Sequence, residues 1–275
     1  MIPFDFEYYM PDSTKEAVDT YTRLCLEGKQ PLYYGGGTEI ISMARTHNIY
    51  TDAVIDIKGI PECNQQIYEN SKLTIGSAVT LTNIAESNFF PLLSLTVERI
   101  ADHTIQDKIT LGGNIAGTII YREAVLPLLI ADSDIVIDGP MGRRQVPLFD
   151  VFDKRIILNK GELIVKLIID GSYLKLPYLH SKRTKDEKID YPLITFAALK
   201  KENNINIAIS GVCSFPFRSR FVEQYLNDKK VPKNKRINNI ISNMPDAVLD
   251  DLSGSANYRK FKLQHMLSEV IERLE

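Results

Sequence analysis

Pro31-Leu32-Tyr33-Tyr34-Gly35-Gly36-Gly37-Thr38-Glu39-Ile40 runs from a short apolar strand through three glycines into a helix. Glycine reaches positive φ without strain, and its bare backbone leaves amide N–H groups uncovered. Placed ahead of a helix, such a turn can wrap a phosphate, with the helix dipole and the Thr38 hydroxyl adding to the attraction. It is not a P-loop, because the Gly-x-x-x-x-Gly-Lys-Ser/Thr spacing is missing. Nor is it the dinucleotide fingerprint Gly-x-Gly-x-x-Gly, since Ile40 stands where the last glycine belongs. Taken alone, the stretch reads equally well as a plain tight turn.

Outward from this turn the chain alternates helix and strand. Upstream, Ser13 and Glu16 have capping-box spacing, Ala17, Val18, Tyr21, Leu24 and Cys25 recur at helical intervals, and Gly28 stops the run. Downstream, the pattern predicts a helix over 39–46 and a buried strand over 53–57, which makes a small α/β lobe. A second texture follows, with strands over 73–79, 135–137 and 163–169, and helices over 82–86, 92–101 and 124–131. Within it lies Thr110-Leu111-Gly112-Gly113-Asn114-Ile115-Ala116-Gly117, a second glycine loop about seventy residues after the first. Its Thr110 and Asn114 are small polar donors beside bare backbone, and two such loops can grip the two ends of an extended dinucleotide. After Gly171, runs over 193–200 and 205–213 flank Glu202-Asn203-Asn204 as an antiparallel hairpin. Tyr258, Phe261, Met266, Leu267, Val270, Ile271 and Leu274 mark one face of a closing amphipathic helix.

The chain has 275 residues, 33 Lys+Arg against 35 Asp+Glu, 44% apolar and 25% charged residues, the profile of a globular protein with a sizeable core. A net charge of −2 argues against nucleic-acid binding, and the basic stretch 229–236 reads as a solvated loop. Cys25, Cys63 and Cys213 form no CxxC pair, which argues against zinc or an iron–sulfur cluster in this chain and fits a reduced, cytoplasmic setting. No apolar run approaches a membrane span, and residues 1–11 do not read as a secretory signal. His47, His103, His180 and His265 are too scattered for a metal set and read as surface or satisfied side chains. Phe4, Phe6, Tyr8 and Tyr33 read as core or lobe-packing aromatics, Asp186-Glu187-Lys188 as a solvated loop, and Asp190 as the start of a strand.

The two glycine loops resemble those of a known family. Tyr34-Gly35-Gly36-Gly37-Thr38-Glu39-Ile40 looks like the first flavin loop of the FAD-binding medium subunit of molybdenum hydroxylases, the family of xanthine, carbon monoxide and nicotinate dehydrogenases. Thr110-Leu111-Gly112-Gly113-Asn114-Ile115 is similar to its second loop. The likeness continues through Gly161-Glu162-Leu163-Ile164, Lys182-Arg183, Asp190-Tyr191-Pro192 and Gly254-Ser255-Ala256-Asn257-Tyr258-Arg259.

The resemblance implies an α+β chain. A two-lobed FAD-binding region of the vanillyl-alcohol-oxidase (PCMH) type would fill residues 1–170, with lobes 1–58 and 59–170. A small α+β domain of the CO dehydrogenase flavoprotein type would fill residues 171–275. It implies that Tyr34, Gly35, Gly36, Gly37 and Thr38 bind the FAD pyrophosphate, that Glu39 belongs to the same cofactor-binding stretch, and that Thr110, Gly113 and Asn114 hold the cofactor from the second lobe. Glu123 would accept a cofactor hydroxyl, Ile164 would lie against the cofactor, and Lys182 would stand near the polar edge of the flavin. Thr38 stands where covalent flavoproteins of this fold carry a nearby histidine, so FAD is expected to be non-covalent. Family members with an extra iron–sulfur cluster in this subunit carry a four-cysteine insertion that is absent here.

The implied function is electron transfer from [2Fe–2S] clusters on an iron–sulfur subunit, through FAD, to NAD⁺ or another acceptor. The molybdenum cofactor would sit on a third subunit. No acid–base pair for catalysis is evident in the sequence, which fits that division of labour. Tyr121-Arg122-Glu123-Ala124 departs from the family's usual Ser-Asp and is similar to a variant in bacterial purine-hydroxylase complexes, pointing to a xanthine/purine-type dehydrogenase. Two other readings stay open, a free-standing flavin oxidoreductase of the same fold and a non-enzymatic nucleotide-binding protein.

Overall fold

A computed structural model of the chain describes residues 2–184 and 191–275. Asp186-Glu187-Lys188 and Asp190 lie outside the described residues.

The N-terminal part is a three-stranded parallel sheet in the order β1-β3-β2, formed by β1 (Glu7–Tyr9), β2 (Pro31–Tyr34) and β3 (Ala53–Asp56), with α1 (Thr14–Leu26) and α2 (Thr38–Arg45) between strands. Ser13 caps α1 by accepting from the Glu16 amide at 3.2 Å. The Glu16 carboxylate returns to the amide of Asp12 at 3.0 Å, a capping box displaced by one residue. Gly28 ends the run with φ +82°.

The second part is a five-stranded antiparallel sheet in the order β4-β5-β10-β6-β7. Its elements in chain order are α3 (Pro61–Asn64), β4 (Gln66–Glu69), β5 (Lys72–Gly76), α4 (Leu81–Ser87), α5 (Pro91–Val97), α6 (His103–Gln106), α7 (Leu111–Ala116), α8 (Val125–Ile130), β6 (Asp134–Asp138), β7 (Arg144–Pro147), the small hairpin β8 (Phe152–Asp153) and β9 (Arg155–Ile156), and β10 (Leu163–Asp170). The helices α4, α5, α7 and α8 bury their apolar residues with Leu73, Ile75, Ile135, Leu167 and Ile169 of the sheet in the largest core of the molecule. The third part is an antiparallel sheet, β11 (Tyr178–Thr184), β12 (Pro192–Lys201), β13 (Asn204–Ser210) and β14 (Phe217–Arg218), with α9 (Arg220–Asn227), α10 (Lys233–Ser242) and α11 (Ala256–Leu274). Strand β12 is covered on both faces: Ala197 and Leu199 face the second core, while Ile194, Phe196 and Ala198 face α11.

Several expectations need correction. Residues 111–116 are helical rather than a loop. Thr110 caps the turn, and Gly112 is required because a methyl there would lie 2.6 Å from Ser77 Cβ. The strand expected over 73–79 stops at Gly76, where the chain passes so close to Cys63 that a Cβ would be 2.1 Å from its carbonyl oxygen. On α11, Tyr258 and Phe261 are exposed, and the buried side at that end is taken by Arg259, which is 0% exposed. The basic stretch 229–236 runs into α10, and Arg236 is buried against the Leu226 carbonyl and Glu275. Phe6 and Tyr8 are exposed rather than core. With Phe4, Tyr34, Ile40 and Ile41 they line an apolar cleft of about 290 Å³. Tyr33 does pack between the first two parts, stacked 5.1 Å from Tyr21 and donating to the Gly161 carbonyl at 2.8 Å. Finally, His180 is neither exposed nor satisfied: it is buried, and neither ring nitrogen has a hydrogen-bond partner among the described residues.

Candidate functional site

Parallel strands β2 and β3 end side by side, with Tyr34 opposite Asp56, so the first glycine turn leaves the carboxyl end of the sheet. That is where open α/β sheets place their ligands. Gly37 has φ +70°, and a Cβ there would lie 2.2 Å from the Tyr34 hydroxyl, so the tyrosine ring folds over its own turn. No side chain caps α2. Among the described residues, the amides of Gly36, Thr38 and Glu39 have no acceptor.

The two glycine stretches meet. A methyl on Gly36 would lie 1.6 Å from the Lys108 carbonyl oxygen, and one on Gly35 would lie 2.7 Å from Thr110 Oγ1. Glu39 extends the contact by accepting from the Thr118 amide at 2.7 Å and from the Thr118 hydroxyl. Gly35 and Gly36 are thus brought to Thr110 and Lys108, and Glu39 to Gly117 and Thr118, across a long stretch of sequence.

The second stretch offers less bare backbone than its sequence suggests. The amides of Leu111, Gly112 and Asn114 donate to the carbonyls of Val79, Ser77 and Thr110 at 2.9, 2.8 and 2.8 Å. The Gly113 amide donates to Thr110 Oγ1 at 3.2 Å. What remains is the Thr110 hydroxyl proton and Asn114 Nδ2, whose partner oxygen Oδ1 accepts from the Ala124 amide at 3.2 Å.

Glu123 and Lys182 meet each other. Lys182 Nζ lies 3.1 Å from Glu123 Oε2, with both side chains 5% exposed. Thr195 donates to Glu123 Oε1 at 2.6 Å, and Lys182 also donates to the Arg99 carbonyl at 2.6 Å. Burial pushes the Glu123 carboxyl up, while the Lys182 charge and the Thr195 hydrogen bond pull it back. Ile164 is buried in the second core.

Three residues were not anticipated. Lys58 donates to the Gly35 carbonyl at 2.9 Å and to Asp56 Oδ2 at 2.7 Å, with its ammonium 4.5 Å from the Tyr34 ring centre. Arg122 is buried at φ +34°, donates to the Gly117 and Lys154 carbonyls at 3.2 and 2.7 Å, and has no carboxylate partner among the described residues. Burial, with Arg155 adding to it, pulls its pKa down to about 10. His180 lies on β11 two residues before Lys182, and burial followed by the charges of Arg99 and Lys182 pulls it down to about 3. Sequence order gives no hint of Lys58 at the turn, because only the pairing of β2 with β3 brings residue 58 to residue 35.

An uncapped helix start with free amides, a glycine turn that admits no side chain, and the Thr110 hydroxyl against it suit an extended ligand with an anionic centre. The chain is 24% identical over 98% of its length, and 97% of the relative's, to the carbon monoxide dehydrogenase medium chain of Hydrogenophaga pseudoflava. It is 26% identical over 77% of its length, and 72% of the relative's, to the nicotinate dehydrogenase FAD-subunit of Eubacterium barkeri. The solved carbon monoxide dehydrogenase from Hydrogenophaga pseudoflava, a form lacking the Mo-pyranopterin moiety of the molybdenum cofactor, superposes with a TM-score of 0.87 over 100% of this chain and 98% of that one, at 24% identity. Residues 4–169 match the model of the FAD binding domain in molybdopterin dehydrogenase, and the chain therefore belongs to that family of FAD-binding proteins.

Proposed function

We propose that this chain is the electron-transferring FAD subunit of a multi-subunit molybdenum hydroxylase. FAD, held non-covalently, would supply the chemistry that takes electrons from iron–sulfur clusters on one partner subunit and gives them to NAD⁺ or another acceptor. The molybdenum cofactor would sit on another partner. The observation that carries the reading is the meeting of Gly35 and Gly36 with Lys108 and Thr110 beside an uncapped helix. In it, the amides of Gly36, Thr38 and Glu39 present N–H donors to the pyrophosphate, and Thr110 and Asn114 add donors from the second lobe. Glu123 and Lys182 supply a buried charge pair at the junction of the second and third parts.

Arg122, which has no carboxylate partner among the described residues, belongs with Glu123 to the segment that carries the finer reading, a xanthine/purine-type substrate for the assembled enzyme. The setting proposed is cytoplasmic. Among the described residues, no helix is long and apolar enough to cross a membrane.

The test is purification of the native complex. A yellow preparation containing this chain and two further polypeptides, which releases its flavin on denaturation and oxidises a purine, is expected. A colourless chain that stays so with added FAD would sink the flavin assignment, and a chain that turns over a small-molecule donor alone would sink the subunit assignment.

A further inference from the structure

Lys58 has a side chain that is 41% exposed, and it is tied to the first glycine turn by three contacts. Asp56, at the carboxyl end of β3, accepts from the Lys58 amide at 2.9 Å through Oδ1. This bends the chain into a short 3-10 turn and sends the lysine side chain back across the end of β2. Asp56 Oδ2 then accepts both the Lys58 ammonium at 2.7 Å and the Tyr8 hydroxyl at 2.6 Å. The carboxylate side chain is only 4% exposed, and Lys58 and Tyr8, both exposed residues, reach inward to it from the surface. The hydrogen bond to Asp56 pushes the Tyr8 phenol up to about 12, so the tyrosine stays a donor throughout the ordinary pH range. A second donor of the ammonium goes to the Gly35 carbonyl at 2.9 Å.

That last contact has a consequence set by covalent geometry. The Gly35 carbonyl and the Gly36 amide belong to one planar trans peptide, so they point in opposite directions. A peptide between two glycines meets little steric resistance to rotating as a unit about its flanking bonds. In one orientation it offers an anion an N–H, and in the other it offers a carbonyl oxygen that repels it. Among the described residues Gly36 N–H has no acceptor, so no partner of its own fixes the choice. Holding the carbonyl fixes it instead.

We propose that Lys58 is a positioning residue for the FAD cradle. Its ammonium holds the Gly35–Gly36 peptide with the carbonyl turned toward Lys58 and the amide turned toward the pyrophosphate, and Asp56 and Tyr8 hold the ammonium. The inference rests on the reading of the turn given under Proposed function, and it adds three residues to that site.

The test is titration of the full-length chain with FAD, followed by flavin fluorescence at low and at 1 M salt, for wild type, Lys58→Met, Lys58→Arg, Asp56→Asn, Tyr8→Phe and Gly36→Ala, with the apo melting temperature of each. Loss of one orienting hydrogen bond predicts about tenfold weaker FAD binding in Lys58→Met. Lys58→Arg, which can still donate to the Gly35 carbonyl, should recover most of the affinity. The weakening should persist at 1 M salt, because the contact is made with a carbonyl and not with the ligand's charge. Asp56→Asn should also weaken binding, since it frees the ammonium, and Tyr8→Phe should do so by a smaller factor with the fold left intact. If Lys58 were instead the counterion of the phosphates, Asp56→Asn would tighten binding and the wild-type advantage would vanish in salt. Either result overturns the positioning role. Unchanged affinity in Lys58→Met with loss in Gly36→Ala would remove Lys58 and leave the cradle standing. A wild-type chain that binds no FAD would remove the cradle itself.

Discussion

Removing Lys182 tests whether the buried pair with Glu123 has the energetics its geometry implies. The two groups meet at 3.1 Å with 5% of each side chain exposed. Lys182→Met keeps most of the stem's volume and removes the charge, leaving a carboxylate where water cannot solvate it. Breaking a buried pair from one side typically costs about 3–5 kcal/mol. Thr195 still donates to Glu123 Oε1 at 2.6 Å, which places the expected loss near the lower end, about 3 kcal/mol at pH 7.

The loss should depend on pH with a definite sign. Burial already raises the Glu123 carboxyl above its ordinary 4.5, and losing the lysine raises it further. A raised folded-state pKa means the folded chain holds the proton more tightly than the unfolded chain does. The variant is therefore least impaired below 4.5, where both states are protonated. It loses stability as pH rises toward the folded-state value, by about 1.4 kcal/mol per pH unit within that window. Urea unfolding at pH 5, 7 and 8.5 measures this directly. Lys182→Met combined with Glu123→Gln should regain most of the loss and flatten the pH dependence. A single variant that costs under about 1 kcal/mol, or the same at pH 5 and 8.5, would refute the buried-pair account.

Gly36→Ala should lower apo stability by about 1–3 kcal/mol, because its methyl meets backbone at Lys108, whereas Gly113→Ala meets only the Thr110 hydroxyl at 2.9 Å and should cost less; equal losses in thermal unfolding would contradict the interlobe contact. His180→Leu should flatten the acid limb of stability: with the folded imidazole at about 3 against an ordinary 6.5, wild type keeps its full stability above 6.5 and loses it as pH falls toward 3, so parallel acid limbs in the two proteins would sink the prediction. Arg259→Met should destabilise by about 3 kcal/mol or more, since it orphans the buried Leu193 and Gly211 carbonyls and frees Asp251, and a melting temperature within a degree of wild type would count against it.

The parts of this fold that the sequence shows most clearly are those with local causes. Ser13, Glu16 and Gly28 bracket α1 because caps and left-handed glycines act within one turn of chain. The β12–β13 hairpin is legible because both strands are apolar runs around a polar turn. Strand β11 is not, because Tyr-Leu-His-Ser-Lys-Arg-Thr is polar at most positions and is held by β12 and by what packs over His180 and Lys182. The helix at 111–116 was hidden for a similar reason. Two adjacent glycines disfavour helix on propensity, and the tight approach of Gly112 to Ser77 is a tertiary fact. On α11, Arg259 wins the buried face from Tyr258 because backbone carbonyls of Leu193 and Gly211 converge there, which no helical periodicity reports.

The candidate site divides along the same line. The glycine turns are legible as a pair, since one alone reads equally well as a plain tight turn. What orients them is not, because orientation comes from residues such as Lys58, Glu39 and Thr118 whose reach is set by strand pairing and lobe contact. The turns also differ in how they are held. The second is stiffened within its own part of the chain, with the amides of Leu111 through Asn114 already engaged. The first keeps its amides free and is stiffened from outside, by Lys108 across the lobe contact and by Lys58 through a carbonyl. Backbone donors spent on the protein cannot also grip a ligand, so backbone gripping would fall to the first turn, and the second would add only the Thr110 hydroxyl and Asn114 Nδ2. Mutations behind the first turn should therefore be felt in cofactor affinity before they are felt in stability, and mutations behind the second in the opposite order.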